Sequence, residues 1–161
     1  MNGFLKTGMI GCALSFALAS SAFAKPVSAT AAIAGTWQLN TTASKGMMPS
    51  MKSETRIYAV DGNKVTMQSD GVDASGKHAS NSYAASYDGK FYPTVNNPVG
   101  DTIALSKVDS HTMTAILQKG STVAATARAV VSPDGKHLTI TRKTGTPPAK
   151  MVGSVAAYDR K

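Results

Sequence analysis

Turn signals recur along this chain at intervals that leave room for little but short strands between them. Asp61-Gly62-Asn63, Asp73-Ala74-Ser75-Gly76-Lys77, Asp88-Gly89-Lys90, Lys119-Gly120-Ser121 and Pro133-Asp134-Gly135-Lys136 each join a glycine, free to enter the left-handed region, to side chains that bond their own backbone. Between them the spacing predicts strands near 35–40, 54–60, 64–70, 78–87, 90–95, 102–109, 112–118, 122–132, 137–143 and 151–159. No segment sustains about ten residues of helical periodicity, so the crossover helices of a parallel sheet have nowhere to form. The prediction is an all-β, antiparallel, up-and-down meander of about 8–10 strands.

Apolar residues alternate along these strands: Val65 and Met67; Ile103 and Leu105; Met113, Ala115 and Leu117; Val123, Ala125, Ala127, Ala129 and Val131; Leu138 and Ile140. Such a half-wet meander must bury one face and dispose of its edges, either by closing into a barrel or by folding into a β-sandwich. Closure into a barrel is the expectation, with a sandwich as the alternative. Ala125, Ala127 and Ala129 bear on the interior, because small inward residues leave a cavity unless larger residues on facing strands fill it.

Ahead of the strands, Lys6, the apolar stretch Met9 to Ala19 and Ala22-Phe23-Ala24 read as a secretory leader, residues 1–24, cleaved after Ala24. The apolar run is shorter than the roughly 20 residues that span hydrocarbon, so an anchor is disfavoured and the chain is not expected to span a membrane. Met9-Ile10-Gly11-Cys12 imitates a lipoprotein box only loosely, since apolar residues continue beyond the cysteine. Residues 25–34 read as a flexible lead-in and 35–161 as one domain. Cys12 is the single cysteine and lies in the leader, so the domain, placed in the periplasm or outside the cell, is expected to fold without disulfides. The formal net charge of +8 favours anionic contacts, including an anionic envelope surface. The basic residues are dispersed, without the aromatic-plus-basic stripe that nucleic acid requires.

The opening GTWQLN at 35–40 resembles the Gly-x-Trp signature of calycin barrels, the lipocalins and fatty-acid-binding proteins. Together with TRIYAVDGNKVT, YDGKFYPTVNNPVGDTIAL, VVSPDGKHLTIT and VAAYD it resembles a family of small, exported bacterial lipocalin-like proteins of no established function, over nearly all of residues 35–160. That resemblance implies a lipocalin or fatty-acid-binding-protein-like barrel in which Gly35 and Trp37 close one end, the indole packing on a late basic residue, with Arg128, Arg142 and Arg160 as candidates. The first loop, 41–53, is too short for the two-helix portal of fatty-acid-binding proteins.

Glu54, Arg56 and Tyr58 share one strand face, and an inward Arg and Tyr would hold a carboxylate or phosphate by charge-assisted hydrogen bonds. Outward, the same residues would make a surface salt bridge. Tyr83, Tyr87 and Tyr92, with Phe91, crowd one hairpin, where they suit a ligand mouth or simple cross-strand packing. Arg128 completes the set of candidate ligand residues, its facing undecided by the sequence. Met47, Met48 and Met51 flank Pro49 as an apolar lid or a thin soft-metal site, and His78, His111 and His137 stand by strand ends without the spacing of a zinc site. No cofactor or metal is expected. With Glu54 the single glutamate and no nucleophile elbow, an enzyme is disfavoured. The leading expectation is a monomeric carrier of a small apolar or amphipathic ligand, with or without an anionic head. The alternatives are a protein- or envelope-interaction or inhibitor module with a filled barrel, and a cavity enzyme of isomerase or cyclase type.

Overall fold

The computed structural model describes residues 32–46, 50–145 and 151–161. The leader, most of the lead-in, Met47 and Met48 lie outside the described residues. Ten antiparallel strands run in sequence: β1 (Gly35–Lys45), β2 (Met51–Asp61), β3 (Lys64–Asp73), β4 (His78–Ser86), β5 (Phe91–Val95), β6 (Thr102–Lys107), β7 (Thr112–Lys119), β8 (Thr122–Val131), β9 (His137–Thr144) and β10 (Val152–Arg160). Each pairs with its neighbour, and β1 pairs with both β2 and β10, so the sheet is a closed up-and-down barrel. The sandwich is thereby ruled out. Closure leaves no unpaired edge, which is how a meander of half-wet strands avoids aggregation.

Alternation is clearest in β3, where Val65, Met67, Ser69 and Gly71 are buried and the residues between them from Lys64 to Asp70 are exposed. The turns form as their side chains dictate. Gly120 takes φ +58° in the two-residue link between β7 and β8, and its N–H donates to Asp101 Oδ2 at 3.0 Å. Asp73 Oδ1 accepts from the Ser75 and Lys77 backbone N–H groups, shaping the turn before β4. Much of the segment read as the first loop is strand instead: β1 continues to Lys45 past a register shift after Asn40, and β2 begins at Met51.

Up-and-down order gathers the starts of odd strands and the ends of even strands at one end. Trp37, Val65, Leu105, Val131, Leu138 and Tyr158 seal that end, each at most 2 % exposed. Ala32 and Ile33, the tail of the lead-in, form a 3₁₀ turn beneath it, and Ile33 is buried against the same cluster. The opposite end carries the turns before β4, β6 and β8.

Candidate functional site

The sealed end is organised by Trp37. Its Nε1 donates to the Ile33 carbonyl at 2.8 Å, and the Arg160 guanidinium lies 4.2 Å over the ring. Arg160 in turn donates to the carbonyls of Ala32, Ala34 and Gly135. Gly35 is favoured here by its φ of +130°, which side chains rarely adopt, and a Cβ would also push the Arg160 guanidinium aside. Of the three arginines named as partners for the indole, Arg160 therefore takes that place.

Above this floor the barrel holds a cavity of about 150 Å³. One water needs about 10–15 Å³ on this measure, so the space admits a small organic molecule. Ala115, Ala127, Ala129 and Ala156 line it, each a position where a larger side chain would have filled the space. Ala125 does not line it and is fully packed. Met67, Ile103, Leu117 and Ile140 give the wall its apolar area, while Asn81, Asn96 and Asn97 stand towards the open end. Among the described residues Asn96 is the non-glycine held at positive φ, +52°, in the loop between β5 and β6, a conformation asparagine tolerates.

The polar side of the cavity is built on β2. Glu54, Arg56 and Tyr58 point inward, which rejects the outward reading, although the salt bridge that reading foresaw is present inside the barrel. Arg56 Nε donates to Glu54 Oε1 at 2.9 Å, the Tyr158 hydroxyl donates to Glu54 Oε2 at 2.7 Å, and Ser69 donates to the same carboxylate. Ser69 Oγ also accepts from Asn81 Nδ2 at 2.7 Å. Arg56 lies 5.1 Å over the Tyr158 ring and bonds the Tyr58 hydroxyl, which is bonded to that of Tyr83. Burial alone would raise the Glu54 pKa; the Arg56 charge and these donors outweigh it and hold the carboxyl below its usual range. Burial pushes the Tyr83 and Tyr158 hydroxyls up, so they remain donors. A carboxylate held by several donors is a poor general base, which argues against acid–base chemistry at this site.

Arg142, on β9, lines the same cavity in register with Ala127 and Ser154. It makes no hydrogen bond or ion pair with a described residue. Burial, and then repulsion from Arg56, lowers its pKa against the opposing pull of Tyr158, Glu54 and Tyr58. In the sequence Arg142 stands out only as a candidate partner for the indole, although the alternation of Leu138 and Ile140 on β9 continues to it two residues further.

The remaining candidates divide. Tyr83 lines the cavity. Tyr87 does not; its hydroxyl donates to Met113 Sδ at 3.4 Å, and burial lifts its pKa to about 12. Tyr92 packs against the core, and its hydroxyl donates to Asp88 Oδ2 in the turn. Arg128 is a correction to the set of candidate ligand residues: it is exposed on the outer face of β8, since Ala127 and Ala129 on either side occupy the inner one. Met51 lines the cavity mouth. His78 and His137 are exposed and pair with Asp70 and Asp159, and among the described residues no three His, Cys, Asp or Glu cluster in a way that could hold a metal ion.

Comparison with protein-family profiles and with curated proteins finds no match. Among solved structures, the chain is similar to zebrafish ileal bile acid-binding protein complexed with cholic acid, at a TM-score of 0.51 and 11 % identity over 81 % of this chain and 99 % of that one. It is also similar to lobster apocrustacyanin A1, at a TM-score of 0.42 and 15 % identity over 81 % of this chain and 61 % of that one. The likeness is one of fold: a calycin-type barrel.

Proposed function

We propose that this barrel is a carrier for a small amphipathic molecule whose anionic head binds Arg142 and whose apolar part lies along Met67, Ile103, Leu117 and Ile140. The observation that carries the reading is a guanidinium lining a cavity and making no ion pair or hydrogen bond with a described residue, the nearby Glu54 carboxylate being already bonded to Arg56. A half-buried charge without an ion pair is costly, and folds retain one where a ligand supplies the missing partner. Arg56, already neutralised by Glu54, and the hydroxyls of Tyr58 and Tyr83 shape the space around the head group. The zebrafish barrel of this fold was crystallised with cholic acid, an amphipathic acid, which supports the same ligand class here. At about 150 Å³ the cavity is below the roughly 300–1,000 Å³ that engulfs drug-sized ligands, favouring a compact ligand or one whose tail emerges at the mouth. An interaction module with a filled barrel fits the open interior less well.

The reading includes export: residues 1–24 deliver the domain to the periplasm or beyond, where it acts as a monomer, the closed strand order offering no edge for strand-to-strand pairing. The test is mass spectrometry of the protein purified gently from its own host, under native and then denaturing conditions. A chain starting at Lys25 that sheds a small-molecule mass on denaturation supports both parts. A chain retaining residues 1–24 contradicts export, and an apo mass in every preparation contradicts a carrier.

A further inference from the structure

The charged side chains lining the cavity are Glu54, Arg56 and Arg142, and their charges are not shared evenly. Glu54 and Arg56 meet at 2.9 Å and cancel. Both carboxylate oxygens are committed, Oε1 to Arg56 and Oε2 to Tyr158, and Arg56 is held in place by the Tyr158 ring beneath it. Glu54 has no oxygen free for a ligand, and Arg56, though it keeps N–H donors, has its charge already matched by Glu54. The interior therefore presents one uncompensated positive charge, on Arg142.

Inside the barrel, where apolar wall replaces part of the surrounding water, the favoured occupant is the one that brings the net charge closest to zero. A single negative charge does so. A second would stand uncompensated close to the Glu54 carboxylate, because the one cation able to meet it is already taken. We infer that Glu54 sets the valence of the ligand: by holding Arg56, it limits the cavity to monoanions such as carboxylates and turns away dianions such as phosphate monoesters. The inference rests on the carrier reading and adds the charge of the head group, with Glu54 as the residue that selects it.

Octanoate, octyl phosphate and octanol share a tail and differ in head group, and calorimetric titration of each into the protein at a pH of about 8.5, where the phosphate is doubly charged, separates the possibilities. The expected order is octanoate tightest, with octyl phosphate weaker by at least about tenfold. Glu54→Gln keeps the shape of the side chain, removes its charge and frees Arg56 as a second cation, and it should shift the preference towards octyl phosphate by at least about tenfold.

A second measurement needs no variant. In the native protein, octyl phosphate affinity should fall as pH rises through its second ionisation, near about 6, while octanoate affinity stays nearly flat. The titratable groups facing Arg142 are Glu54, Arg56, Tyr58 and Tyr158, with Tyr83 on the same cavity wall; no histidine lines it. Octyl phosphate binding as tightly as octanoate and indifferent to pH overturns the valence inference and leaves the carrier reading standing. Failure of all three probes to bind overturns both.

Discussion

The Tyr158 hydroxyl donates to Glu54 Oε2 at 2.7 Å across 104 residues of sequence, joining β10 to β2 over the strand between them. That strand, β1, is where the barrel closes. Pairing the two ends of a long chain carries the largest loop-closure cost of any contact in the fold. The bond therefore places the polar cluster of the cavity on the seam that makes the barrel a barrel, and ties the site to the stability of closure.

Removing Glu54 alone should be severe. Glu54→Leu leaves Arg56 charged, buried and unpaired, at a cost of about 3–5 kcal/mol in urea denaturation. The double variant Glu54→Leu with Arg56→Met, which removes both charges, should recover most of that loss. Equal destabilisation of the single and double variants would show that shape, and not charge, dominates here.

The same pair makes stability depend on acid. The folded state holds the Glu54 pKa below its ordinary value of 4.5, so the unfolded chain binds its proton first as pH falls. Its contribution is complete above that ordinary value and is lost as pH drops through the folded pKa. Glu54→Gln should flatten the slope of unfolding free energy against pH on the acid side; an unchanged slope would assign acid sensitivity to the surface aspartates alone.

Gly35 has no substitute. Gly35→Ala places a methyl against Arg160 Nη1 and asks a non-glycine residue to hold φ +130°. Strain of this kind costs about 1–3 kcal/mol, and displacement of the guanidinium should change the fluorescence of Trp37, the single tryptophan. A melt and emission spectrum identical to those of the native protein would contradict this.

Ala127 faces the cavity opposite Arg142 on the neighbouring strand. Ala127→Leu should occupy the space meant for the ligand and weaken octanoate binding by at least about tenfold, while the melting temperature moves little because the added methylenes enter a void. Unaltered affinity would place the ligand elsewhere.

Much of this was legible beforehand. Turn chemistry and spacing, being local, marked the ten strands, although β1 runs to Lys45 where 40 was expected, and Gly35 with Trp37 marked the sealed end. Facing was harder. Arg56 and Tyr58 alternate with the exposed Ile57, an inversion of the usual pattern that only a wet interior explains. Arg128 and Arg142 lie on adjacent strands yet on opposite faces, as the alternation of Ala127 and Ala129 around the one and of Leu138 and Ile140 before the other implies. What alternation does not give is which residues stand side by side: Ala127 pairs with Arg142, and Arg128 with the exposed Thr141. Strand register is a tertiary property that a single sequence shows poorly.

The central claim is that Arg142 is kept for a ligand at some expense to the fold. Thermal melts of Arg142→Met and the native protein, each with and without octanoate, test it directly. Relieving an uncompensated charge should raise the melting temperature of the apo variant by about 2–5 °C, and octanoate should stabilise the native protein but not the variant. An apo variant that melts below the native protein, and is still stabilised by octanoate, would contradict the account.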